Sequence, residues 1–185
     1  MEKVYLLLTD TGTMFTRMIK LYTKKPYNHA SISFDRNFLE VYSFGRKKPQ
    51  NPFIGGFVNE DVRKGLFENA RCAIYSCSIS TEQKKKMSHF IQQIENQKHL
   101  YRYNLIGLIN FVINKPIRRK RAYFCSEFVA CVLNEGDLLH FQKPLSLISP
   151  HDLQSLQNLN LEYEGYLSDL FMNETKKHVY SLAVR

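Results

Sequence analysis

From Asn28 to Phe34 the chain alternates, with Ala30, Ile32 and Phe34 apolar and His29, Ser31 and Ser33 polar. A period of two specifies a half-buried strand, because successive side chains on a strand point to opposite faces. Asp35-Arg36-Asn37 supplies turn chemistry, and Phe38 to Phe44 follows as a second strand, so the pair reads as a hairpin. The apolar run Val4 to Leu8 fits a buried strand. Phe53 to Val58, Ala70 to Ile79, Leu161 to Leu167 and His178 to Val184 are further strand candidates.

Helices are interspersed with these. Ser80-Thr81-Glu82-Gln83 forms a capping box, and Met87, Phe90, Ile91 and Ile94 behind it make one apolar stripe. Met14 to Tyr22, Leu105 to Ile113 and Cys125 to Leu133 also read as helices, the last closed by Gly136. Ser149-Pro150 opens a short helix through Leu156, with proline at the first helical position. Mixed helices and hairpin-like strands predict an α+β class, with an antiparallel sheet packed against helices. The chain is expected to be a single domain over 1–185, with the last ~30 residues a C-terminal extension.

Composition is that of an ordinary globular protein, 44% hydrophobic and 23% charged, which argues against disorder. The charge of +9 raises the local concentration of anionic partners, whether nucleic acid, anionic lipid or an acidic small substrate. Cys72, Cys77, Cys125 and Cys131 include no Cys-x-x-Cys pair, and neither local pair shares a face, so free thiols in a reducing compartment are expected. The Val4 to Leu8 run is too short for a signal-peptide core, and no stretch approaches a membrane span. The expected location is therefore cytoplasmic. The six histidines show no metal-ligand spacing, so metal catalysis is set aside and no cofactor is expected.

The chemistry converges on three residues. Cys125 falls at the start of an amphipathic helix, where unpaired amides and the positive dipole end favour a thiolate and can hold a developing oxyanion. Glu127 in the first turn suits that dipole and is expected to point outward or to bond a neighbouring strand. His29 lies on the polar face of its strand. A two-residue turn at Asp35-Arg36 sets His29 opposite Tyr42 and Ser31 opposite Glu40, which places His29 and Glu40 about 7–8 Å apart on one face. A three-residue turn puts Glu40 on the other face. With the first register, a cysteine, a histidine and a carboxylate form a Cys-His-acid arrangement.

That order, with its local motifs, resembles the circularly permuted papain-like hydrolases related to the NlpC group, the YiiX/YebB-like proteins. The matching segments are Asn28-His29-Ala30-Ser31-Ile32, then Glu40 in Phe38-Leu39-Glu40-Val41, then Tyr123-Phe124-Cys125-Ser126-Glu127-Phe128-Val129. Tyr103-Asn104-Leu105-Ile106-Gly107 and Ser149-Pro150-x-Asp152-Leu153 add to the likeness, which runs from about Tyr5 to Leu156. The resemblance implies a papain-like fold with Cys125 as nucleophile, His29 as general base and then acid, and Glu40 as the residue orienting His29. It also implies that Tyr123, Tyr27 and Ser126 line the substrate cleft. Many relatives are exported, and the basic loop Lys115 to Arg121 stands outside the family pattern.

These readings lead to amide or ester hydrolysis through a cysteine thioester, on a small peptide-like or acylated substrate. Acyl transfer to a lipid-directed acceptor uses the same first step. A noncatalytic protein binding anionic ligands or a membrane surface through Lys84 to Lys86, Arg46 to Lys48 and Lys115 to Arg121 is the alternative from another class. No nucleic-acid motif occurs.

Overall fold

The computed structural model describes residues 1–12, 25–48, 51–104 and 119–172. The helices expected over Met14 to Tyr22 and Leu105 to Ile113, and the strand over His178 to Val184, lie outside them, as does most of the Lys115 to Arg121 loop. Eight strands are described: β1 Glu2–Asp10, β2 His29–Ser33, β3 Tyr42–Lys48, β4 Asn51–Asn59, β5 Arg71–Ile79, β6 Arg102–Tyr103, β7 Ala122–Tyr123 and β8 Asn160–Tyr166. The helices are α1 Thr81–Asn96, α2 Cys125–Glu135 and α3 Pro150–Gln154, with single 3-10 turns at Gly65–Phe67 and Leu145–Leu147.

Six strands form one antiparallel sheet in the order β4-β3-β2-β1-β5-β8, and β6 and β7 pair in parallel beside it. The expected mixture of helices with an antiparallel sheet is what the chain forms. Strand β1 is central, and its run from Val4 to Leu8 is buried on both faces, which is why it lacks polar alternation. Val4, Leu6 and Leu8 join the larger core under the helices, with Ile32, Phe44 and Phe57 from other strands and Met87, Ile91 and Phe128 from α1 and α2. Tyr5 and Leu7 face a second core closed by Phe38, Val41, Val62, Phe67 and Leu167. Cys72 and Cys77 fall in different cores, as strand alternation requires, and all four cysteines are free.

Two helix starts follow their sequence signals closely. Ser80 accepts from the Gln83 amide and Gln83 bonds back, completing the capping box of α1. Ser149 and Asp152 do the same at α3. The third helix differs in kind: every α2 residue from Cys125 to Leu133 is buried, so it is a core rod rather than a surface helix. Phe128 anchors it, its ring 5.2 Å from that of Phe44 and 5.8 Å from that of Phe57.

The β2–β3 connection departs from the two-residue turn. Ser33 and Asp35 exchange hydrogen bonds, the Asp35 carboxylate accepts from the Asn37 and Leu39 amides, and Phe38 turns left-handed at φ 54°. Asp35 thereby stabilises a wider loop. Strand β3 begins only at Tyr42, which pairs with Ile32 rather than His29. At the other end, β8 pairs along β5 and Leu167 packs in the second core. That part of the expected extension is built into the sheet.

Because α2 is seated through Phe128, Phe128→Ala is expected to destabilise the protein by about 3–5 kcal/mol. Ser80→Ala, which removes only the α1 cap, is expected to cost about 1 kcal/mol. Urea unfolding followed by circular dichroism measures both.

Candidate active site

Phe124 is extended, at φ −102° and ψ 170°, and its carbonyl accepts from the Phe128 amide at 3.0 Å. The amides of Cys125 and Ser126 therefore precede the first intrahelical hydrogen bond, at the positive end of the helix. Cys125 is 5% exposed. Glu127 is buried, not outward, and its carboxylate accepts from the Phe124 amide at 3.4 Å, bracing the turn that presents the cysteine.

His29 opens β2, opposite Thr9 of β1. Its Nε2 lies 2.8 Å from Glu60 Oε1. The second carboxylate oxygen accepts from the Ser31 hydroxyl at 2.5 Å. Glu60 follows β4 and is anchored through its own amide, which donates to the Val41 carbonyl at 2.7 Å. Ser43 donates to the Ala30 carbonyl at 2.8 Å and stands 3.4 Å from His29 Nε2. Gly45 completes the enclosure: a Cβ there would lie 3.2 Å from Glu60 Oε1 and 3.7 Å from the His29 ring.

Burial works against a charged imidazole, but the Glu60 carboxylate and the Cys125 sulfur outweigh it and lift the His29 pKa to about 10. Both partners act through charge and through side-chain hydrogen bonding. With Nε2 taken by Glu60, Nδ1 is the ring nitrogen left for the sulfur. The imidazole thus lies between a carboxylate and the Cys125 sulfur, with its orientation fixed by the carboxylate.

Tyr103 joins this group. It pairs with Tyr123 between β6 and β7, and its Cβ lies against Gly55, where an added methyl would sit only 2.7 Å away. Burial pushes its phenol well above the ordinary tyrosine range; the Cys125 charge adds to this and Arg46 opposes it. Tyr103 is therefore a neutral hydroxyl within electrostatic reach of the sulfur.

Cys125 and His29 come together as the sequence suggested, whereas Glu40 does not join them. It is exposed and accepts from the Tyr42 hydroxyl at 3.0 Å. The wide Asp35 loop withdraws residues 38–41 from the strand and removes the register that would have set Glu40 on the histidine face. Glu60 occupies that place. The available signal was that no Asp or Glu occurs from Val41 to Asn59, so Glu60, at the end of a strand, is the next acid along the chain.

The three expected cleft residues also resolve differently. Ser126 is buried and donates to the Ile148 carbonyl at 2.7 Å, tying α2 to the segment before α3 rather than meeting a substrate. Tyr27 is 5% exposed, and its hydroxyl donates to Glu164 of β8, the strand at the opposite edge of the sheet from β4, which Glu60 follows. Tyr123 does lie beside the site, its ring 5.1 Å from that of Phe44 and stacked at 6.1 Å on that of Tyr101. Among the described residues no cluster of His, Cys, Asp or Glu has the make-up of a metal site, and no helix is long and apolar enough to cross a membrane.

Comparison with protein-family models, with curated proteins and with solved structures finds no match to this chain.

The sign of the His29 shift sets a pH dependence. A histidine raised from 6.5 to about 10 contributes stability that is complete below pH 6.5 and disappears as pH rises through 10. The urea midpoint is expected to fall across that window. In Glu60→Gln the His29 NMR titration midpoint is expected to drop by at least one unit, while Glu40→Gln leaves it in place.

Proposed function

We propose that this protein is a thiol-dependent hydrolase of the permuted papain-like kind, with Cys125 as nucleophile, His29 as proton carrier and Glu60 as the residue that positions His29. The observation that carries the proposal is the His29 imidazole held between the Glu60 carboxylate and the sulfur of a cysteine at a helix start. Nucleophile and base in contact, with the base oriented by a third group, is the general pattern of covalent catalysis by cysteine.

The chemistry follows from these positions. With the thiol proton transferred to His29, the Cys125 sulfur attacks as thiolate at the carbonyl carbon of an ester or amide, forming the C–S bond as the carbonyl π electrons move to oxygen. The oxyanion lies toward the amides at the start of α2, where the helix dipole opposes its charge. Collapse breaks the bond to the leaving oxygen or nitrogen, which takes a proton from His29 and departs, leaving a thioester on Cys125. Neutral His29 then removes a proton from water as it attacks the thioester, and the sulfur leaves again as thiolate beside the imidazolium. Glu60 stays ionised and holds the ring through both steps. A hydroxyl or amine in place of water gives acyl transfer.

The order His29, Glu60, Cys125 along the chain, with the histidine on a strand, the acid directly after one and the cysteine at the start of a buried helix, supports the permuted arrangement. Substrates of this reading are small peptide-like or acylated molecules.

An activated ester such as p-nitrophenyl acetate tests the proposal. Intact mass spectrometry is expected to show one acetyl group, mapped to Cys125, in the wild type and none in Cys125→Ala. His29→Ala is expected to acylate at least about 100-fold more slowly and Glu60→Gln about 10-fold more slowly, with Glu40→Gln within about twofold. Cys72, whose thiol is pushed up to about 12 by burial, is an internal control for an inert cysteine. Labelling of Cys131 as fast as Cys125 would defeat the assignment.

A further inference from the structure

Charge is segregated in this chain around the proposed site. No Asp or Glu occurs from Val41 to Asn59 or from Asn96 to Ser126. These are the stretches that form the β3–β4 hairpin and the β6–β7 pair. Structure brings their cations together. Arg46 pairs with Gly55, against which Tyr103 packs. A Cβ on Gly56 would meet Lys47 Nζ at 3.2 Å and the Tyr101 carbonyl at 2.9 Å, so Lys47 reaches the start of β6. The Arg102 amide donates to the Arg121 carbonyl at 3.0 Å, and Arg119 and Lys120 precede Arg121 directly.

Elsewhere five lysines are neutralised, while Arg36, Arg71 and Lys85 stand exposed and dispersed over other elements. Lys3, Lys64, Lys84, Lys86 and Lys143 each pair with a carboxylate. Lys47, Arg102, Arg119, Lys120 and Arg121 are exposed, and among the described residues none makes an ion pair. Arg121 moreover holds a φ of 56°, a left-handed backbone that glycine or asparagine adopts with less strain. Two large apolar side chains stand out of the same stretches, Ile54 at 41% and Leu100 at 39% exposure. Ile54 adjoins Gly55, and Leu100 adjoins Tyr101.

We propose that this face docks onto an anionic phospholipid surface, with the unpaired cations on the headgroup phosphates and Ile54 and Leu100 reaching toward the acyl boundary. Uncompensated basic residues interleaved with exposed aliphatic ones suit a bilayer interface, which offers charge at its surface and hydrocarbon just below it. Neither a soluble anion nor a nucleic acid gives Ile54 and Leu100 a hydrocarbon environment, and the stacking aromatics of a single-strand binder are otherwise engaged, Tyr101 and Tyr123 being stacked on each other. The docking itself is independent of catalysis. On the hydrolase reading it has a consequence: Arg121 and Cys125 are joined through the two-residue strand β7, so an acyl bond at headgroup depth becomes the nearest substrate.

Vesicle cosedimentation with the full chain tests this. The wild type and Cys125→Ala are both expected to bind vesicles containing phosphatidylglycerol, to ignore pure phosphatidylcholine, and to lose affinity as salt rises. Combined Lys47→Glu, Arg102→Glu and Arg121→Glu is expected to weaken binding at least about 100-fold, at about fivefold per charge. Lys64→Glu, an exposed charge reversal elsewhere, is expected to change it less than about twofold per charge unit on the same scale. Ile54→Ser with Leu100→Ser is expected to weaken binding without changing the salt dependence. Equal binding to both vesicle types, full binding by the triple variant, or a complex with an RNA oligomer but none with anionic vesicles would each overturn the proposal. Failure here with Cys125 still acylated leaves the hydrolase reading standing, and vesicle binding without acylation leaves the docking standing.

Discussion

The His29–Glu60 pair is the constraint on which the rest of the site depends. Two ionisable side chains removed from water lose hydration that their mutual attraction restores only when geometry and further hydrogen bonds are right. Here the supports come from the strands around the pair. Ser31 takes the second carboxylate oxygen, Val41 holds the Glu60 backbone, and Gly45 leaves the space that any side chain would fill. Each is a separate reason for β2, β3 and the end of β4 to meet in one register. The order of the sheet and the orientation of one imidazole ring are therefore the same structural fact.

The cysteine reaches that ring by a different route. It is carried on α2, and α2 is fixed by apolar packing: Phe128 lies against Phe44 and Phe57, and the whole helix from Cys125 to Leu133 is enclosed. Close-packed interiors deform little, so the helix start is held as rigidly as the core. Ser126 and Glu127, both buried, spend their polar groups on the Ile148 carbonyl and the Phe124 amide. Polar residues beside Cys125 thus act as fasteners of the helix start.

What was legible in the sequence followed the strength of its local signals. The capping box at Ser80, the helix begun at Cys125 and the alternation from His29 to Ser33 each reflect physics within a few residues, and each appears where it was read. The acid was misplaced because its position depends on register, and register depended on how Asp35 spends its carboxylate. By accepting from the Asn37 and Leu39 amides it favours a wide loop over a tight turn, and Glu40 leaves the sheet with that loop. Tyr27 and Ser126 were misread for a related reason. Adjacency to His29 or Cys125 in the chain says nothing of direction, and both side chains turn toward partners far away in sequence, Glu164 and Ile148.

The paired glycines of β4 link the interior to the surface. Tyr103 lies so close over Gly55, and the Tyr101 carbonyl so close over Gly56, that any side chain at either position would displace β6. Close approach at that point puts Tyr103 within electrostatic reach of the Cys125 sulfur and Arg102 on the outside of the same two-residue strand. The strand's alternation does the rest: one side chain is directed to the enclosed site and its neighbour to solvent. Whatever binds the exposed cations therefore binds against an element whose other face borders the Cys125 site, separated from it by the thickness of one strand.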